Sequence, residues 1–163
     1  MSWDINLKSL YEVQCFRDGS LLWEESVYNL ITTVGKNALL DRTFFSGLVT
    51  PTWYVGLVDT TSFSQFAATD TMSSHSGWIE NDDYDEAARP AYTVVAASSG
   101  SMSNDASRAL FSMNAIADIK GAFLTTVSTK NGTTGILYGE AAFGTSRNVV
   151  SGDVLSIKIT LTD

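Results

Sequence analysis

The residues that could do chemistry in this chain are concentrated in one acidic stretch. Positions 59–88 hold seven carboxylates and no lysine or arginine, while the whole chain has a net charge of −8. The densest part is residues 80–86, Glu-Asn-Asp-Asp-Tyr-Asp-Glu. Oxygen ligands at alternate positions suit a calcium ion, and Asn81, Asp83 and Asp85 have that spacing. The glycine that turns an EF-hand loop is missing, so we interpret this stretch as a solvated acidic loop without a metal.

The other candidate nucleophiles and bases do not form a catalytic pattern. His75 is the only histidine and Cys15 the only cysteine, which is too few for the usual zinc sites. The serines around His75 do not match the Gly-x-Ser-x-Gly pattern of a nucleophile elbow. No pair of carboxylates can be singled out for glycoside hydrolysis. The sequence therefore predicts no enzymatic activity, no metal and no cofactor.

Aromatic side chains offer a different chemistry, because their faces can stack on sugars. Trp78 and Tyr84 lie within the acidic stretch, whereas Trp23, Trp53 and Tyr54 lie in segments with strand periodicity. Rings that alternate within strands more often pack in a core or an interface. Core or interface packing is therefore the preferred interpretation, and sugar stacking is the alternative.

Composition restricts the classes of partner. An acidic balance argues against nucleic acid, whose phosphates need clustered lysine and arginine, and against an anionic membrane surface. Only 17% of residues are charged, against about 25% in typical globular domains. Either a partner subunit covers part of the surface or the surface is a serine- and threonine-rich sheet. No secretory leader and no apolar run of about 20 residues is present, so we expect synthesis in a cytoplasm.

The elements that must position these residues are mostly strands. Asp18-Gly19 lies between two apolar runs within residues 10–30, which is typical of a hairpin because both residues tolerate a positive φ. Asn131-Gly132 lies between two further apolar runs, at 119–127 and 136–143, and predicts a second hairpin. Strict alternation over 153–162 predicts a last strand.

The remaining segments complete an all-β prediction. Apolar residues at helical spacing over 34–45 predict one short amphipathic helix ending near Gly47, with Leu40, Phe44 and Phe45 in its apolar stripe. Residues 59–90 form a long connection that we expect to be ordered, because it contains four aromatic rings. Together these patterns predict a single domain over residues 1–163, a β-sandwich or jelly roll of about eight strands. Cys15 shares a strand face with Tyr11 and Val13, which predicts a buried thiol.

Several stretches of the sequence resemble a family of small structural proteins encoded by tailed bacteriophages. The stretches are TVGKNALLD at 33–41 with WYVGL at 53–57, ATDTMSSHSGW at 68–78, GAFL at 121–124 with STKNGTTGILY at 128–138, and RNVVSGD at 147–153. The resemblance spans roughly residues 30–160 and places the family among virion proteins, more specifically the capsid cement or decoration proteins. It implies a β-sandwich dimer or trimer on the capsid exterior of the virion that clamps the major capsid subunits.

Two parts of the chain are candidate contact elements under this interpretation. The hairpin at 10–30 is a candidate oligomer or capsid contact. The acidic connection is a candidate contact with a basic capsid surface or with a neighbouring copy, through Trp78, Asp82, Asp83, Tyr84, Asp85 and Glu86. The alternative is a tail-fibre or host-glycan-binding module of the virion exterior.

Overall fold

The computed structural model describes residues 7–45 and 50–162, which fold as two packed antiparallel sheets with one α-helix. In chain order the elements are β1 (Lys8–Arg17), β2 (Ser20–Tyr28), β3 (Leu30–Ile31), α1 (Thr33–Phe44), β4 (Trp53–Asp59), β5 (Glu80–Asn81), β6 (Ala91–Tyr92), β7 (Ser101–Ser103), a 3₁₀ turn (Asp105–Ser107), β8 (Ala109–Ser112), β9 (Ala117–Thr125), β10 (Leu137–Val149) and β11 (Val154–Thr162). The all-β sandwich prediction is confirmed. The strand count exceeds the expected eight because several strands are only two or three residues long.

The first sheet has the order β2-β1-β11-β7, with β8 also paired to β11. The second has the order β3-β10-β9-β4-β5, with β6 also paired to β4. The main core lies between the sheets, since Val13, Cys15 and Ile157 of the first meet Leu57 and Phe143 of the second. Cys15 is fully buried, as its position beside Tyr11 and Val13 predicted.

The two predicted hairpins differ in their turns. Asp18 and Gly19 both have positive φ values, 52° and 77°, and form the two-residue turn between β1 and β2. Strands β9 and β10 also pair antiparallel, but residues 126–136 separate them. The second predicted hairpin is therefore present, but it is closed by a long loop and not by a two-residue turn. Asn131 does have a positive φ of 55°, within a longer loop.

Helix α1 begins where the sequence placed it. The Thr32 side chain caps the helix by accepting a hydrogen bond from the Gly35 backbone N–H at 3.0 Å. Only Gly35 and Ala38 of the helix are buried, and Leu40 and Phe44 lie on the surface. The buried face of the helix is therefore narrower than the apolar stripe that the sequence predicted. The predicted end of the helix near Gly47 lies outside the described residues.

The long connection, residues 59–90, is ordered and covers the outer face of the second sheet. Here it builds a second core, separate from the main one, from Val58, Met72, Trp78, Phe123 and Leu137, with Val34, Phe63 and Phe66 packed against it. Trp78 is central to this core because its ring lies against both Phe66 and Phe123. Sheet faces must be covered for a core to form, and this segment covers one of them.

Candidate functional site

The acidic stretch begins with a buried ion pair. The Arg89 guanidinium donates hydrogen bonds to both carboxylate oxygens of Glu80, at 2.7 and 2.6 Å, and both side chains are buried. Arg89 also donates to the carbonyl oxygen of Val127 at 2.7 Å. The stretch 80–89 is thus anchored to the β9–β10 loop.

The same loop contacts the middle of the acidic stretch. Lys130 donates to the carbonyl oxygen of Tyr84 at 2.6 Å, and its ammonium lies 3.7 Å from the centre of the Tyr84 ring. The Asn131 side chain donates to the Asp82 carboxylate at 2.8 Å, and its backbone N–H donates to Glu80 at 2.7 Å. Asn131, which the sequence placed in a turn, therefore also binds the acidic part of the long connection.

Three further acids differ in how many hydrogen bonds their carboxylates accept from the rest of the protein. Glu86 accepts hydrogen bonds from the backbone and hydroxyl of Ser112, between 2.9 and 3.2 Å. Asp83 accepts one from the Asn81 side chain at 3.2 Å. Asp85 is exposed, and no described side chain donates to its carboxylate. Of the candidate contact acids, Asp85 has the carboxylate most available to a partner.

Two of the three residues considered for calcium, Asn81 and Asp83, hydrogen-bond to each other. The Asn81 amide NH2 donates to Asp59 at 2.9 Å and to Asp83, and the Asn81 amide oxygen accepts from the Asp83 backbone N–H at 3.3 Å. Within residues 7–45 and 50–162, no group of three histidine, cysteine or carboxylate side chains could hold a metal ion.

Trp78 and Tyr84 do not lie on the surface. Trp78 is 2% exposed in the second core and Tyr84 is 1% exposed against Phe111 in the main core. One face of Trp78 is stacked on the ring of His75, 3.9 Å between centroids. In this conformation neither ring can contact a partner subunit or stack on a sugar. Contact through either would require the long connection to move.

A buried pair of carboxyl groups that the sequence analysis did not predict joins β10 and the long connection. Glu140 is on β10 and is fully buried, and neither of its carboxyl oxygens has a hydrogen-bond partner among the described residues. Asp70 lies beside it and is 8% exposed. Burial, followed by the nearby Asp70 charge, raises the pKa of Glu140 to about 9. A single charged residue within the apolar run at 136–143 was the signal for this site.

Apolar side chains are exposed in several places on the sandwich. Phe44 and Phe45, at the end of α1, are 83% and 68% exposed, and Leu40 on the preceding turn is 57% exposed. Among the described strands, β2 pairs only with β1, so its other edge is open. Adjacent exposed aromatic rings and an open strand edge are both features through which proteins associate.

Three comparisons with known proteins found no relative of this chain. No protein family, no curated protein and no solved structure matches the chain. Among the described residues, no helix is both long and apolar enough to cross a membrane.

Proposed function

We propose that this protein is a non-enzymatic structural subunit that binds to repeated protein surfaces, as a capsid cement or decoration protein of a tailed bacteriophage does. The observation that supports an assembly role is the exposed apolar surface at the end of α1, formed by Leu40, Phe44 and Phe45. Exposed apolar patches of this kind mark protein contacts more often than isolated apolar residues do.

The open edge of β2 supports the same proposal. Its unpaired backbone groups can accept an added strand from another subunit, with backbone hydrogen bonds supplying affinity. This edge belongs to the 10–30 hairpin that the sequence suggested as a contact element. Weak contacts repeated over many copies stabilise a shell by multivalency, without any single strong site.

The assignment to a capsid exterior depends on the resemblance of the stretches within residues 30–160 to phage structural proteins. In this proposal the partners are the major capsid protein and further copies of the chain. The protein is made in the host cytoplasm and ends on the outside of the virion. The glycan-binding alternative loses its two candidate rings, because Trp78 and Tyr84 are buried.

The experiment that tests this function is co-sedimentation with expanded, undecorated capsids of the phage that encodes the chain. We expect binding at a fixed ratio to the major capsid protein and a higher melting temperature of the capsid. The double variant Phe44→Ser/Phe45→Ser should bind at least tenfold more weakly. Ile116→Ser is the matched control, because Ile116 is 75% exposed away from that helix. No binding, or only a few copies per particle, would overturn the proposal.

The role of the acidic connection needs a separate variant. Charge reversal at Asp82 or Asp83 would also break their hydrogen bonds to Asn131 and Asn81, so it would not isolate a surface charge. Asp85→Lys changes an exposed charge with no described side-chain partner. If the connection contacts a basic capsid surface, Asp85→Lys should weaken capsid binding and reduce its dependence on salt. Unchanged binding at every salt concentration would exclude that contact.

A further inference from the structure

Asp70 organises the part of the long connection that covers the second sheet, through hydrogen bonds within the connection itself. The Asp70 carboxylate accepts hydrogen bonds from the Ala67 backbone N–H at 3.1 Å and from the Trp78 indole N–H at 3.2 Å. These contacts fold residues 67–78 around the carboxylate. Trp78 in turn fills the centre of the second core against Phe123 of β9. Asp70 is therefore the polar centre of the part of the connection that covers the sheet.

Glu140 of β10 lies close to both Asp70 and Trp78. It pairs with Phe123 of β9 on one side and with Leu30 of β3 on the other. Its oxygens have no backbone or cationic partner among the described residues, so an ionised Glu140 would be an uncompensated buried charge. A protonated Glu140 is instead a hydrogen-bond donor, and the Asp70 carboxylate beside it is an acceptor.

Among the residues that the structure describes, no titratable group near Glu140 offers a positive charge that would stabilise its ionised form. Asp70 faces it from the long connection and carries the same sign of charge. Tyr11 on β1 also lies near Glu140. The pKa of Tyr11 is raised first by burial, then by the nearby Tyr138 and Tyr92, and then by the charge of Glu140. The Trp78 indole N–H is the one nearby group that favours ionised Glu140, and it is already donated to Asp70.

We propose that Glu140 and Asp70 form a proton-dependent latch, in which a proton shared between the two carboxyl groups holds the long connection over the second sheet. Opening the connection exposes Glu140 to water, where it loses its proton at neutral pH. The closed form retains the proton, so a rise in pH favours the open form. This latch is independent of the capsid proposal, because it concerns only how one segment is held.

The sign and range of the effect follow from linkage. The pKa of the Glu140 carboxyl group is higher in the closed form than in the open form. The closed form therefore loses stability relative to the open form as pH rises above the ordinary, open-form pKa. This loss of stability ends once pH exceeds the closed-form pKa. For Glu140 that range runs from its ordinary value of 4.5 to about 9. Within it, the opening equilibrium should increase up to tenfold per pH unit.

Limited proteolysis with chymotrypsin measures this opening through cleavage after Trp78, because this residue is 2% exposed in the second core and becomes cleavable only when the connection lifts. Cleavage rates are measured between pH 6.5 and 9 and divided by the rate on a short peptide substrate at each pH. We expect the wild-type rate within residues 59–90 to rise severalfold to tenfold per pH unit. The Glu140→Gln variant should show a flat profile, since its amide donates to Asp70 without titrating.

The matched control is Asp85→Asn, which removes an exposed carboxylate from the same segment and should retain the wild-type profile. An equally steep rise in Glu140→Gln, or a flat wild-type profile, would overturn the latch. If Glu140→Gln does not fold, the ¹³C carboxyl shift of Glu140 in the wild-type protein provides the test. A titration midpoint near 9 supports the latch and a midpoint near 4.5 excludes it.

Discussion

The guanidinium of Arg89 and the carboxylate of Glu80 form a two-point ion pair, with N–O distances of 2.7 and 2.6 Å, inside the protein. Both side chains are almost fully buried, and the arginine also lies 5.2 Å from the centre of the Phe123 ring. The pair joins the end of the long connection to the β9–β10 loop, since Arg89 also donates to the Val127 carbonyl. A buried ion pair needs its remaining polar atoms satisfied as well, and here the Asn131 backbone N–H donates to Glu80 at 2.7 Å.

Removing one member of this pair should therefore be costly. We expect Arg89→Met to lower the free energy of unfolding by about 3–5 kcal/mol, because it leaves Glu80 charged and buried. The double variant Arg89→Met/Glu80→Met removes both charges and should recover a large part of that loss. Urea unfolding followed by circular dichroism measures both. If the single and double variants were equally stable, Arg89→Met would not leave an uncompensated charge on Glu80, which would contradict the prediction.

Global stability should fall as pH rises from about 5 to 9, because folded Glu140 retains a proton that the unfolded chain loses. The group contributes a slope of up to about 1.4 kcal/mol per pH unit in that range. Glu140→Gln should flatten this dependence and be more stable than the wild type at pH 8. Urea midpoints at one-unit pH steps measure it, with the exposed Glu24→Gln as control. A wild-type slope that persists in Glu140→Gln would contradict the assignment.

The close approach of α1 to β10 makes Gly35 intolerant of a side chain. A Cβ there would overlap the backbone carbonyl of Tyr138, which cannot move aside without disturbing the strand. Alanine gains up to about 1 kcal/mol in helix propensity, whereas overpacking costs about 1–3 kcal/mol or more. We therefore expect a net loss of stability in Gly35→Ala, measured as a lower melting temperature.

The control for Gly35 is Gly144→Ala, where the nearest atom is the carboxylate end of Glu25 at 3.2 Å. A flexible side-chain end can move, so this variant should melt within a few degrees of the wild type. If Gly35→Ala raised the melting temperature, the contact between helix and strand would be looser than described.

Cys15 should be chemically silent in the folded protein. It is fully buried, and burial, followed by the Asp153 charge, raises its pKa to about 11, so little thiolate forms at pH 8. Labelling with a disulfide reagent at pH 8 should proceed only in denaturant. Ser20→Cys adds an exposed thiol at the start of β2 and should react without denaturant. Fast labelling of native wild-type protein would show that the β1 face opens readily.

The sequence by itself determined the strands and their inward faces. Alternation over β1 places Tyr11, Val13 and Cys15 on one side because strand side chains alternate with a period of two. Asp18-Gly19 forms its turn because both residues accept a positive φ. These are local properties, and they predicted an all-β sandwich.

Only the tertiary structure decided what covers each face and which charges are free. The acids at 80–86 were expected to be solvated, but the nearby Arg89 and the distant Asn131 and Ser112 bind most of them. Phe44 has the spacing of a buried residue and is exposed, because no described element packs over the end of α1. Glu140 is buried beside Asp70, 70 residues away in sequence, because the long connection folds back over β10. Burial and charge pairing depend on contacts between distant segments, and no local pattern encodes those contacts.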